Sequence, residues 1–308
     1  MTAPAPSAPA LQGGAAKVLF YGNCQMRAVA TAISLFNPQI DIRFAGMVDT
    51  VGNFDPARAE KLQNWADVIV ARTITKASHP ANTQKLRERW GERLLVVPYI
   101  SVDAMFPLAP SEHLEKNPSG FVDGAEIIAS LEEVGLEETL ARYRAGEIDF
   151  NLKARFEQSL RGMARREQGA IVQISPWLAE HCRQRQLFLS RNHPKPEIIN
   201  MLASAVAERI GAQFSEITRD QAADYARITL PLSRSKVSPQ AAEELGLAFG
   251  YDLGWWQYAS STIRRIDTFR RKAGSGWLLA ASVRTSDWIE KRWRTARGDL
   301  TNSEFGQD

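Results

Sequence analysis

The chain has 308 residues, 44% of them hydrophobic and 24% charged, an ordinary globular balance that excludes a disordered, collagen-like or disulfide-stapled protein. The formal net charge is only +3, from 38 Lys and Arg against 35 Asp and Glu, which argues against a dedicated nucleic-acid binder, whose affinity comes mostly from neutralising phosphates. Two cysteines, Cys24 and Cys182, cannot staple a chain of this length and point to a reducing compartment.

The first sixteen residues are rich in Ala and Pro and carry no charged side chain. They lack the basic start and unbroken apolar stretch of a secretory signal and read as a disordered tail. No apolar run approaches the roughly 20 residues that span a bilayer, so the expectation is a cytoplasmic protein. Val18 to Tyr21, closed by Gly22, predicts a buried strand. Cys24 to Phe36 follows with apolar residues at helical spacing (Val29, Ala32, Ile33, Phe36) and stops at Asn37-Pro38. Ile40–Val48 predicts a second strand, and residues 56–65 a helix capped by Asp55, with Pro56 at its first position. Asp67–Ala71 is a third strand, Asn82–Trp90 a helix, and Leu94–Val97 a fourth strand ended by Pro98. Asp123 to Arg166 is mostly helical with breaks at Gly135 and Gly146. Residues 171–182 read as a loop and short helix, and Leu187–Ser190 as a fifth strand. Residues 196–210 form a helix ended by Gly211, and 239–247 a further helical stretch.

Strands alternating with helices predict a mostly parallel sheet flanked by helices. The layout expected is a tail (1–16), an α/β domain (17–253) with a helical insertion at about 123–185, and a helical C-terminal extension (254–308). In such sheets ligands collect at the carboxyl ends of the strands. That selects Gly22 to Gln25, Asp49 to Asn53, Arg72 to Lys76, and Pro98 to Asp103.

At the first of these places Gly22 permits a tight turn, and Cys24 opens a helix. The helix dipole and unpaired N–H groups there favour a thiolate, and Asn23 and Gln25 flank it as donors for an oxyanion. The alternative is a buried structural cysteine. Asn192-His193-Pro194 follows the fifth strand. If that strand joins the sheet, His193 reaches the rim of Cys24 as general acid or base, with Asn192 orienting it or donating to an oxyanion. Arg27, Arg72 and Lys76 suit a polyanionic cofactor unless they are ordinary surface charge. Tyr99 and Phe106 suit stacking, or the core. No phosphate-binding G-x-x-x-x-G-K-[ST] or G-x-G-x-x-G loop and no G-x-S-x-G elbow occurs. The four histidines and two cysteines show no metal-ligand spacing, and the adjacent His181 and Cys182 read as structural.

Tyr21 to Gln25 opening the first helix, Asn192-His193-Pro194 late in the chain, and the segment from Val97-Pro98-Tyr99 to Pro107 together resemble the WcbI-type proteins of bacterial capsular polysaccharide biosynthesis over roughly residues 17–250. The resemblance implies a flavodoxin-like, SGNH-hydrolase-like three-layer core. It also implies coenzyme A or acetyl-CoA as co-substrate and a sugar hydroxyl or polysaccharide as acceptor. Cys24 and His193 would be the reactive pair, with Gly22, Arg27, Arg72, Lys76 and Tyr99 as candidates for binding the cofactor. In SGNH hydrolases a serine stands where Cys24 does, and an aspartate stands three residues before the histidine. Here that position is Ser190, which leaves a Cys–His dyad unless Asp49 or another rim acid substitutes. Three functions stay open: an O-acetyltransferase, an esterase that removes acyl groups, and a non-catalytic CoA-binding subunit.

The small net charge hides a segregation. Residues 255–298 carry ten Lys and Arg against three acids, a net +7, together with Trp256, Trp277, Trp288 and Trp293, and the last ten residues carry −3. Such a segment suits a membrane surface, a partner enzyme or an anionic polymer. The alternative is a pair of amphipathic helices packed on the core.

Overall fold

The computed structural model describes residues 17–46, 56–79, 81–109, 124–215 and 235–273. The expectations for the 1–16 tail, the Asp55 cap, the rim segment Asp49 to Asn53, and everything in the basic segment beyond residue 273 lie outside them. The chain divides into two compact units, Met1–Ser101 with Leu160–Cys182 and Leu187–Ser233, and Val102–Ser159 with Arg183–Gln186 and Arg234–Asp308.

The first unit is built on four parallel strands in the order β2-β1-β3-β4: β1 (Lys17–Gly22), β2 (Asp41–Gly46), β3 (Val68–Arg72) and β4 (Leu94–Val97). The apolar runs that predicted β1, β3 and β4 are buried on both faces, as a sheet covered by helices on both sides demands. On one face Leu19, Tyr21, Ile69, Ala71, Leu94 and Val96 pack with Leu62 and Trp65 of α2 (Pro56–Trp65) and with Leu86 and Trp90 of α3 (Thr83–Trp90). On the other face α1 (Cys24–Ser34) lies against β1 and packs on α7 (Pro196–Ile210). α1 offers Met26, Val29 and Ile33, and α7 offers Ile198, Leu202 and Val206, all fully buried. α1 ends at Ser34, two residues before the expected Phe36. Asn82 is not in α3 but caps it, its Oδ1 accepting from the N–H groups of Gln84 and Lys85.

The strand order matters for function. β1 has β2 on one side and β3 on the other, so the chain reverses direction across the sheet at β1. The helices following β1 and β2 therefore lie on opposite faces, which leaves a crevice at the carboxyl ends of β1 and β3.

One expectation fails. The strand ending at Ser190 does not join this sheet. β5 (Phe188–Ser190) pairs antiparallel with β6 (His193–Pro194) in a separate two-stranded ribbon, with Ser190 opposite His193. Only Arg191 and Asn192 connect the two strands, so the chain folds straight back on itself instead of making the long crossover that a parallel neighbour needs.

The second unit contains α4 (Gly124–Ala145), most of α5 (Leu152–Arg166), α8 (Pro239–Leu245) and α9 (Trp255–Ala273). α4 is interrupted at Gly135, which has a φ of 79°, and Gly146 ends it with a φ of 75°, so both glycines break the helix where expected. Phe106 is fully buried in this unit, which gives it a core role and no stacking surface. α9 packs on α4, burying Ala259, Ile263 and Ile266 at helical spacing. Several of its charges have partners: Arg264 pairs with Glu137, and Arg270 and Arg271 both pair with buried Asp267. Among the described residues no helix is long and apolar enough to cross a membrane.

Candidate functional site

Gly22 sits where β1 meets α1. A Cβ on it would collide with Met26, whose Cβ is 2.9 Å away, and would come within 3.6 Å of Arg72 Cγ. Only glycine lets the first helical turn fold this close to the strand. Asn23, in extended conformation, caps α1 by accepting from the Gln25 N–H at 3.2 Å. Cys24 is thereby held at the first position of the helix, where backbone N–H groups lack intrahelical partners.

His193 reaches this point from the β5–β6 ribbon. Its Nε2 lies 3.4 Å from Cys24 Sγ, and its Nδ1 lies 2.6 Å from Ser190 Oγ. Membership of the central sheet is therefore not needed to bring the two together. Burial lowers the His193 pKa below the ordinary histidine value, and the positive charge of Arg191 lowers it further. The His193 imidazole is thus neutral near pH 7.

Gln25 joins the two halves of the site. It is 1% exposed. Its Nε2 donates to the carbonyls of Ile100 and Asn192, each at 2.7 Å, and its Oε1 accepts from the Ile100 N–H at 3.2 Å. Both amide donors are engaged, so Gln25 fastens α1 to the loop after β4 and to the ribbon carrying His193. Asn192, also buried, supplies the carbonyl that Gln25 grips.

The cationic candidates separate. Arg72, at the end of β3, places its guanidinium 5.1 Å from the centre of the Tyr99 ring. Arg166, which sequence reasoning missed, lies 5.6 Å from the same ring, with its Nε donating to the Tyr99 carbonyl at 3.0 Å. Nothing in the 152–166 helical pattern marks Arg166, because only the tertiary fold carries the end of α5 to the strand ends. Burial lowers its pKa, yet a guanidinium stays charged at neutral pH. Two guanidinium groups thus share the Tyr99 ring beside the strand that leads to the thiol. Arg27 is exposed and turns to the Phe44 ring, 4.9 Å away. Lys76 is exposed on the loop after β3, a loop that Asn82 Nδ2 holds by donating to the carbonyls of Ile74, Thr75 and Lys76. Asp49 lies outside the described residues; among the described residues Ser190 faces His193 Nδ1.

The family model for the polysaccharide biosynthesis enzyme WcbI matches residues 17–215. No sequence among curated proteins matches. A solved structure of WcbI is similar to this chain with a TM-score of 0.51 at 18% identity, covering 88% of this chain and 99% of its own. It is described as a native polysaccharide biosynthesis enzyme without a disulfide bond between coenzyme A and a cysteine. At that identity the likeness shows the α/β fold.

Two outcomes are expected. In an NMR titration the His193 ring titrates below about 6.5, because its folded-state pKa is depressed; a midpoint at or above that value contradicts a buried neutral imidazole. Gln25→Ala leaves the Ile100 and Asn192 backbone groups unsatisfied in the interior and lowers stability by about 1–3 kcal/mol in urea unfolding.

Proposed function

The chain belongs to the WcbI family of polysaccharide biosynthesis enzymes, and from that premise we propose that it moves an acetyl group from acetyl-CoA to a sugar hydroxyl. The observation that carries the reading is the 3.4 Å approach of His193 Nε2 to Cys24 Sγ at the start of α1. Coenzyme A is named beside a cysteine in the structural neighbour, which supports a CoA thiol meeting Cys24 here. Arg72, Arg166 and Tyr99 are the residues fitted to the anionic parts of that cofactor, with Lys76 at their margin.

Neutral His193 takes the Cys24 proton on Nε2. This requires that Nδ1 carry a proton, which it donates to Ser190 Oγ; the serine therefore selects the tautomer, as the hydrolase aspartate does, but without stabilising an imidazolium by charge. The thiolate attacks the thioester carbonyl. The sulfur–carbon bond of acetyl-CoA breaks, and the CoA thiolate leaves with the proton from His193. His193 then accepts the proton of the sugar hydroxyl, whose oxygen attacks the acetyl-cysteine carbonyl. The ester forms and the cysteine sulfur recovers its proton. The positive end of the α1 dipole suits the oxyanion in both steps. Exchange of one thioester for another is nearly balanced in free energy, so the intermediate adds no deep trap. Direct attack of the sugar on acetyl-CoA, with His193 as base and Cys24 only lining the site, is the competing route. Removal of acyl groups by water, and CoA binding without transfer, are the two competing functions.

Replacing Cys24 separates these. Acetyl transfer from labelled acetyl-CoA to a sugar falls by about 10³-fold in Cys24→Ala, while CoA still raises the thermal midpoint. Full activity in both Cys24→Ala and Cys24→Ser eliminates the covalent route. Stabilisation by neither CoA species eliminates CoA chemistry altogether. Ser190→Ala lowers kcat about tenfold with KM unchanged, and Ser190→Thr restores it; an equal loss in both variants contradicts the positioning role.

A further inference from the structure

The turn between β5 and β6 consists of Arg191 and Asn192 alone. It is firmly held: Ser190 and Asn192 are buried, and the Asn192 carbonyl accepts from Gln25 Nε2 at 2.7 Å. Arg191 stands between them, half-buried and two residues from His193. Among the described residues no hydrogen bond or ion pair engages its guanidinium. Arg72, Arg87 and Arg166, half-buried in the same unit, differ. Arg72 and Arg166 lie on the Tyr99 ring, and Arg87 donates to the Gly169 carbonyl. A guanidinium drawn partly out of water without a partner is destabilising. Here the penalty is double, because the charge of Arg191 also opposes proton uptake by His193. Ser190, against the other ring nitrogen, carries no charge to offset it. A base that must become imidazolium during the transfer is thus set beside an unbalanced cation.

An anion on Arg191 relieves both penalties. The guanidinium fork matches a carboxylate or a phosphate, and once its charge is balanced His193 accepts the hydroxyl proton more readily. The thioester end of acetyl-CoA is uncharged, so an anion placed beside the base belongs to the acceptor. We propose that Arg191 receives an anionic substituent of the acceptor sugar and so selects an acidic sugar over a neutral one; the assignment rests on the acetyl-transfer reading above. Binding and activation are then one event. The acceptor brings the negative charge that the ribbon lacks, and a neutral sugar leaves His193 a poorer base.

The test is an NMR titration of the His193 ring in the full chain, alone and with methyl α-galacturonoside, galactose 6-phosphate or methyl α-galactoside. In the wild type at least one of the two acids is expected to raise the His193 midpoint by about one pH unit, and the neutral galactoside to leave it in place. The acid that acts distinguishes carboxylate from phosphate. Without ligand, Arg191→Gln already raises the midpoint, since a positive charge is removed. Neither acid then moves it further, and the affinity for the acting acid falls about tenfold. Arg191→Lys, which keeps the charge, retains part of the response. The CoA-induced thermal shift is expected to be equal in wild type and Arg191→Gln, which also reports that the variant is folded. A midpoint unmoved by both acids, an equal response to the galactoside, a response that survives in Arg191→Gln, or a CoA shift lost in that variant alone would each overturn the proposal. Absence of any CoA shift in the wild type tells against the acetyl-CoA reading instead, and leaves the His193 titration to judge Arg191.

Discussion

A single buried amide holds the candidate site together. Cys24 and His193 are separated by 169 residues; one opens the helix that follows β1 of the central sheet, and the other begins β6 of the separate ribbon. Neither strand pairing nor helix packing fixes the gap between a helix start and a two-residue ribbon strand to within a hydrogen bond. Gln25 does so, because it leaves α1 one residue after Cys24 and grips the backbone one residue before His193. Its other two bonds, both to Ile100, add the loop that carries Tyr99 and so couple the thiol, the imidazole and the cation-bearing ring through one side chain. Burial makes this clamp stiff: with water excluded, a broken bond leaves an unsatisfied polar group, so the energy rises steeply as the parts separate.

That same burial determines the electrostatic character of the pair. A helix N-terminus favours thiolate, and a thiolate favours imidazolium, so the position alone suggests an ion pair as in cysteine proteases. Desolvation of His193 and the nearby charge of Arg191 push the other way. Ser190 does not change the balance, because a hydroxyl can accept the Nδ1 proton but cannot offset a positive ring as a carboxylate does. A serine against Nδ1 and the lowered histidine pKa are thus consistent with one another. Both describe a base that stays neutral until the moment of proton transfer, with a weaker hold on the charge it then acquires.

The sequence made local features legible and left assembled ones hidden. The apolar runs Val18 to Tyr21 and Leu94 to Val97 predict strands because burial on both faces leaves an uninterrupted hydrophobic signature. Gly135, Gly146 and Gly211 mark helix breaks because positive φ is written directly in residue type. The family resemblance rests on two short motifs and the segment after the fourth strand, and the fold brings the two motifs into contact through Cys24 and His193. Placing the last strand was different. Three residues carry no record of their partner, and Phe188 to Ser190 has the same apolar character whether it enters a parallel sheet or a local ribbon. Gln25 and Asn23 read as donors because their chemistry permits it. Their use as clamp and cap depends on which backbone groups arrive nearby. Arg166 gave no signal at all, being one of several cations at the end of an amphipathic helix.

Topology supplies the remaining constraint. In the order β2-β1-β3-β4, the turn after β1 is flanked by neighbours reached in opposite directions, so the two flanks of the thiol are built from unrelated stretches of chain. The β3 and β4 flank carries two half-buried arginines over one tyrosine ring. Among the described residues β2 is the edge of the sheet, and its exposed Asp41 and Arg43 place charge along that edge, which averts pairing with another sheet.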